Sequence, residues 1–184
     1  MTSSRAVVLV GGASRRMGTD KSLLIVDEQP AAIRLCRLLT EVGFDQVVLV
    51  GGSGDRFADG DFPHVVDIEP GRGPLEGVRT ALASSSHEWT LVVAVDLHGL
   101  NSEAIRTMRD SLIAHPFDDV IHAMSSEGPQ PLFGWWRRST LQTIERELSL
   151  GRRSVRSVVG VLRHSTIEFA EGVLRNVNRP EDLG

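Results

Sequence analysis

What the chain lacks narrows its function before any motif is read. Among 184 residues there is one cysteine, Cys36, so no internal disulfide can form, as expected for a reducing compartment. Long apolar runs are missing too: the first, "AVVLV" at 6–10, empties at once into two glycines. That is too short for a signal peptide or a membrane span, and the expectation is a cytoplasmic protein without a membrane partner. Basic excess is absent, the formal net charge being -4, which argues against a general nucleic-acid binder. Any anionic ligand must therefore be met by local clusters of Arg and Lys.

What is present is ordinary globular material, 41% hydrophobic and 24% charged, enough for the core of one domain. Short β-branched runs alternate with helical stretches. Strands are expected at 6–10, 46–52, 64–67 and 90–96, and at "DDVIHAM" after residue 117. Helices are expected from Pro30 to Gly43, with Ala32, Leu35, Cys36, Leu39 and Val42 on the buried face, from Gly73 onward, and over 102–115. "TLQTIERELS" reads as an amphipathic helix burying Leu141, Ile144 and Leu148. Strands that are apolar at every position belong to a sheet covered on both faces, so the pattern predicts an α/β fold with an open, mostly parallel central sheet flanked by helices. The prolines of "GPQPLFGWW" (128–136) point to a sheet edge or a departure from its centre. The two tryptophans there suit an interface as well as a core.

In such a sheet, ligands bind beyond the carboxyl ends of the strands. Three strands end informatively, in Gly11-Gly12, in Asp67 and in Asp96. The loop "GGASRRMGTDK" is not a dinucleotide fingerprint and not a P-loop, because Lys21 lies three positions beyond Gly18. It still offers free backbone N–H groups, with Arg15, Arg16 and Lys21 in reach of several phosphates. Asp96 reads as a Mg2+ ligand or as a cap of the next helix. Asp67 is open between a ligand contact and a loop hydrogen bond. His64, His87, His115, His122 and His164 show no metal spacing and read as surface or strand-end residues. No Ser-His-Asp or Cys-His constellation is seen.

"LVGGASRRMGTDK" resembles the signature of the glycine-rich nucleotidyltransferases, L-x-G-G-x-S-x-R-M-G-x-D-K. "GPLEGVRTAL" (73–82), "AVDLHGL" (94–100), "QPLFGWW" (130–136) and "NVNRPEDL" (176–183) resemble the molybdenum cofactor guanylyltransferase branch, in family order. The resemblance implies a single-domain Rossmann-like (GT-A-like) nucleotidyltransferase fold over 1–184, with a nucleotide-binding half to about residue 100 and an acceptor-binding half after it. It implies transfer of GMP from GTP to molybdenum-bearing molybdopterin, with Mg2+ as cofactor and with proteins that deliver molybdopterin or receive the product as partners. On these residues it places Leu9, Val10, Gly11 and Gly12 along the nucleotide, and Arg16, Gly18 and Lys21 at its phosphates. Asp67 would face the guanosine and Asp96 the metal. Arg153, or Arg152 one position earlier, would lie with Asn176 and Asn178 toward the molybdopterin.

Gly11, where cytidylyltransferases carry alanine, resembles the guanine form and leaves room for a purine; a related transferase of another nucleotide is the alternative. The chain departs from the family twice. His98 stands where proline is usual, leaving the stiffness of that loop to other contacts and raising a weakened, nucleotide-binding homologue as an alternative. "LVGG" at 49–52 lacks the polar residue that can follow the second strand, so any nucleotide contact there falls to backbone.

Overall fold

The computed structural model describes residues 4–11, 21–26, 28–52, 57 and 60–174, with Lys21 described in its backbone only. The run after the N-terminus forms β1 (Arg5–Leu9), buried at every position. A small hairpin, β2 (Ile25–Val26) and β3 (Gln29–Pro30), leads into α1 (Ala31–Val42). Then come β4 (Gln46–Val50), β5 (His64–Val65), α2 (Pro74–Ala83), β6 (Trp89–Ala94) and α3 (Ser102–Ser111). The described chain continues through β7 (Val120–Ser125), β8 (Gly128–Arg137), α4 (Leu141–Ser149), α5 (Val155–Val159) and β9 (His164–Glu168).

Seven strands make one sheet in the order β5-β4-β1-β6-β8-β7-β9, and only β8 runs against the rest. The side-chain period of two explains why the central strands are apolar throughout. Ala6 and Val8 join Leu35, Leu39 and Ile105 of α1 and α3 on one face. Val7 and Leu9 meet Leu75, Val78, Ile144 and Val158 of α2, α4 and α5 on the other. Helix α1 buries the expected face and ends at Gly43, whose left-handed φ of 99° is a glycine stop. Cys36 is fully buried, and burial pushes its thiol up to about 12. Arg5, 1% exposed, donates to the Ala81 carbonyl and to Ser84 Oγ, a cation placed at the C-terminus of α2.

Two expectations are corrected, and two that were left open are settled. Strand β8 is not an edge but lies between β6 and β7, and the departure from regular pairing falls at its proline-bearing end. Its prolines are tolerated because the β6 ladder stops at Phe133, and the β7 register slips between residues 134 and 130. Pro131 therefore sits in an irregular stretch where no ladder donor is required. The tryptophans settle as core: Trp135 is 2% and Trp136 0% exposed. Their indole N–H groups donate to the carbonyls of Met108 (2.8 Å) and Pro131 (3.0 Å), so both bury their rings without stranding a donor. His122 is a buried residue of β7, desolvation lowering the pKa of its imidazole, and it stacks on His164 at 5.6 Å. Finally, β6 ends at Ala94, so Asp96 stands two residues past it in a turn. Neither α5 nor β9 was predicted, five residues of helix and an edge strand being too short for a clear period. Among the described residues no helix is long and apolar enough to cross a membrane.

Candidate active site

The parallel strands β5, β4, β1 and β6 deliver their carboxyl ends to one crest. Val10 N–H donates to the Val50 carbonyl (2.8 Å) and the Leu9 carbonyl accepts from Val95 N–H (3.2 Å), so these two residues carry the sheet up to Gly11. The Leu9 side chain is buried against α2, where a Cβ on Gly77 would stand 3.3 Å from its Cδ2. Only backbone is thus presented by Leu9 and Val10 at the crest.

Gly11 packs on the end of β4 more closely than any other residue allows. A Cβ there would meet Gly52 N at 2.9 Å, Asp67 Oδ2 at 3.0 Å and Gly51 Cα at 3.1 Å. A Cβ on Gly51, whose φ is +97°, would meet Gly11 N at 2.8 Å. The missing side chain at Gly11 therefore has a packing reason as well as the steric one read from the sequence. Gly51 and Gly52, not singled out as site residues beforehand, are half of this wall. The signal for them was the second glycine pair following a buried strand.

Asp67 lies two residues past β5 and closes the same corner. Burial holds its carboxyl above the ordinary carboxylate range, and neighbouring Glu76 adds to the rise. His64, the Gly52 N–H and Arg79 pull the other way. Of its two oxygens, Oδ1 is buried without a hydrogen-bond partner among the described residues. Glu76, fully buried in the first turn of α2, accepts from Arg79 Nη2 (2.7 Å) and from Glu69 N–H (2.9 Å). That ion pair pins the 66–73 loop beneath the crest.

Asp96 is half-buried in a second recess, a cleft of ≈ 280 Å³ shared with Pro74, Gln130, Pro131, Arg153 and Arg156. Helix α3 is capped by Asn101, whose Oδ1 accepts from Ala104 N–H (2.9 Å); Asp96 is not that cap. The two neighbouring arginines differ in placement. Arg152 pairs with Glu147 at 3.1 Å, while Arg153 lines the cleft. Arg156, three residues on along α5, joins it there, and its Nη2 donates to the Pro129 carbonyl (3.2 Å). No sequence signal marked Arg156, because the short helix α5 that carries it was not predicted.

His98 faces away, lining a crevice with Val26, Ala31 and Arg34 against α1. The loop that lacks proline is held otherwise. Leu97 and Leu100 are buried, and successive turn bonds join Leu97 N–H to Ala94, His98 N–H to Asp96 and Leu100 N–H to Leu97. Gly99 lies so close to the 172–173 backbone that a Cβ would sit 2.3 Å from the Gly172 carbonyl oxygen. That approach brings the chain leading to "NVNRPEDL" up to the Asp96 turn. Gly12, Arg15, Arg16, Gly18, the Lys21 side chain, Asn176 and Asn178 fall outside the described residues.

Residues 6–167 match the family model of the MobA-like NTP transferase domain. The chain belongs to that family. It is 34% identical, over 95% of its own length and 90% of the relative's, to a probable molybdenum cofactor guanylyltransferase of Opitutus terrae. This MobA-like fold is shared with solved structures. Molybdopterin-guanine dinucleotide biosynthesis protein A from Archaeoglobus fulgidus superimposes with a TM-score of 0.79 at 20% identity, over 97% of this chain and 94% of that one. A Mycobacterium tuberculosis protein solved with manganese gives 0.73 at 19%, over 98% and 96%.

Proposed function

We propose that this MobA-like nucleotidyltransferase transfers GMP from GTP to molybdenum-bearing molybdopterin, forming the guanine dinucleotide cofactor and releasing pyrophosphate. One observation carries the reading: the Asp96 carboxylate opens into the same cleft as Arg153 and Arg156, beside the glycine-built crest of β1 and β4. A phosphate-bearing acceptor held by the two arginines is thereby brought to the carboxylate suited to a metal next to the nucleotide.

The reaction is an in-line displacement. An oxygen of the acceptor's terminal phosphate attacks the α-phosphorus of GTP, a new P–O bond forms, and the bond to the bridging oxygen breaks with its electron pair leaving on pyrophosphate. The attacking phosphate is already ionised near neutral pH, so neither a protein nucleophile nor a general base is needed. Catalysis then rests on positioning and charge stabilisation. Lys21 and Arg16 would offset charge on the α-phosphate and the departing pyrophosphate. Gly11, Gly12 and Gly18 would let the loop backbone approach the nucleotide, Asp67 would face the guanosine, and Asn176 and Asn178 would meet the pterin.

Asp96 suits a hard divalent cation. It is half-exposed in an open cleft, and among the described residues no cluster of three His, Cys, Asp or Glu side chains forms a closed metal site. One carboxylate plus substrate oxygens and water is a Mg2+ pattern. Such an ion, when bound, would neutralise charge shared between the reacting phosphates. The reading keeps the protein in the cytoplasm, handing its product to acceptor proteins. Lys21→Ala and Asp96→Ala are each expected to abolish pyrophosphate release with GTP and molybdopterin while remaining folded; retained turnover in either overturns its role. Stronger thermal stabilisation by GTP than by CTP is expected, and the reverse order would assign a cytidylyl transfer instead.

A further inference from the structure

His64, at the start of β5, does something its scattered place in the sequence does not suggest. Its Nε2 lies 2.6 Å from the Gly51 carbonyl oxygen. The ring is held edge-on to Phe57, centroids 5.5 Å apart, and Phe57 is itself buried. With Nε2 protonated, the imidazole donates to Gly51 in either charge state. Gly51 N–H in turn donates to the Val65 carbonyl (2.9 Å), so β5 grips Gly51 at both its polar groups.

The peptide that follows is trans, so the Gly51 C=O and the Gly52 N–H point in opposite directions across one rigid plane. Holding the carbonyl toward β5 therefore aims the Gly52 N–H the other way, into the corner where a Cβ on Gly11 would touch both Gly52 N (2.9 Å) and Asp67 Oδ2 (3.0 Å) and where that N–H helps to lower the pKa of the Asp67 carboxyl. Glycine at 51 and 52 gives this peptide little stiffness of its own. An outside anchor is needed to keep it in one orientation.

We propose that His64 is a positioning residue of the nucleotide site: by gripping the Gly51 carbonyl it directs the Gly52 N–H onto Asp67 and so orients the carboxylate that meets the nucleoside. This rests on the reading that Asp67 faces the guanosine. Among the described residues, the charged and titratable groups around Asp67 are His64 on β5 and Glu76 and Arg79 on α2; the glycines that touch it carry none. The stripped-down "LVGG" thus recovers, through a histidine on the neighbouring strand, an orienting group it does not carry itself.

The test uses the full chain and three variants, His64→Ala, His64→Gln and His64→Asn. Glutamine can still donate from a similar reach; asparagine is too short, and replaces alanine if that variant does not fold. In the loss variant the GTP KM is expected to rise about tenfold, the factor one charge-assisted hydrogen bond supports, with kcat within about twofold. His64→Gln restores most of it. Independently of activity, the titration midpoint of the Asp67 carboxyl, followed by carbon NMR, rises in the loss variant and returns in His64→Gln. A midpoint unmoved in the loss variant overturns the proposal, whatever the assay shows. So does an equal rise in the glutamine variant, which would assign the effect to imidazolium charge alone. A wild type that shows no GTP turnover, with the Asp67 response intact, would count against guanylyl transfer and leave the relay standing.

Discussion

The crest of β1, β4 and β5 and the cleft around Asp96 are built by opposite means. The crest is nearly all backbone: Gly11, Gly51 and Gly52 in mutual contact, with one carboxylate partly desolvated against them. The cleft is side chains, a half-exposed carboxylate just past β6 and two arginines, one before and one on α5, some sixty residues on. A backbone wall discriminates by shape and by a few oriented dipoles, and tolerates no added atom. A charged cleft discriminates by electrostatics, and loses affinity by degrees. The sites should therefore fail differently.

The largest effect is expected at the cleft's carboxylate. Asp96→Asn is predicted to lower kcat by at least about 10²-fold, the scale of removing a group aimed at developing charge, with the melting temperature little changed. Next comes the crest. Gly11→Ala places a methyl within 3.1 Å of three backbone or carboxylate atoms, and overpacking of this kind costs about 1–3 kcal/mol. Denaturant unfolding should show that loss together with weaker GTP binding. A Gly11→Ala protein of wild-type stability would break the contrast.

Smaller effects separate the arginines. Arg153→Ala and Arg156→Ala are each expected to raise the acceptor KM about five- to tenfold without altering the KM for GTP. Arg152→Ala should do neither, because its largely exposed guanidinium pairs with Glu147 rather than lining the cleft.

The smallest effect is in the pH dependence of stability. Asp67 has its carboxyl raised, so the folded state holds its proton more tightly than the unfolded chain does. Stability from this group is present below the unfolded value of about 3.9 and is lost as pH rises through the folded one. Asp67→Asn, always neutral, should thus melt higher than wild type at pH 7 and equally at pH 3, while binding GTP less well. An unchanged difference between the two pH values would show that the carboxyl is not desolvated.

Much of this was legible beforehand because it is local. The apolar run at 6–10, the face of α1 and the carboxylates after β5 and β6 are set by periodicity and strand-end placement. What failed was non-local. The prolines of "GPQPLFGWW" carried an edge signal, and only the irregular pairing with β7 explains how β8 takes a central place. Trp135 and Trp136 point to opposite faces of that strand, and both faces are covered by helices distant in sequence.

By itself, then, the sequence determined the strand-and-helix alternation, the glycine that follows β1 and the two carboxylates, Asp67 and Asp96, that follow β5 and β6. Each of these follows from residue type and short-range spacing. Tertiary structure alone decided that Arg153 rather than Arg152 enters the cleft, that Arg156 joins it, and that Gly99 admits the 172–173 backbone. It also decided that His64 grips Gly51. These depend on which chain segments the sheet order brings within a few ångströms, and one-dimensional spacing carries no record of that.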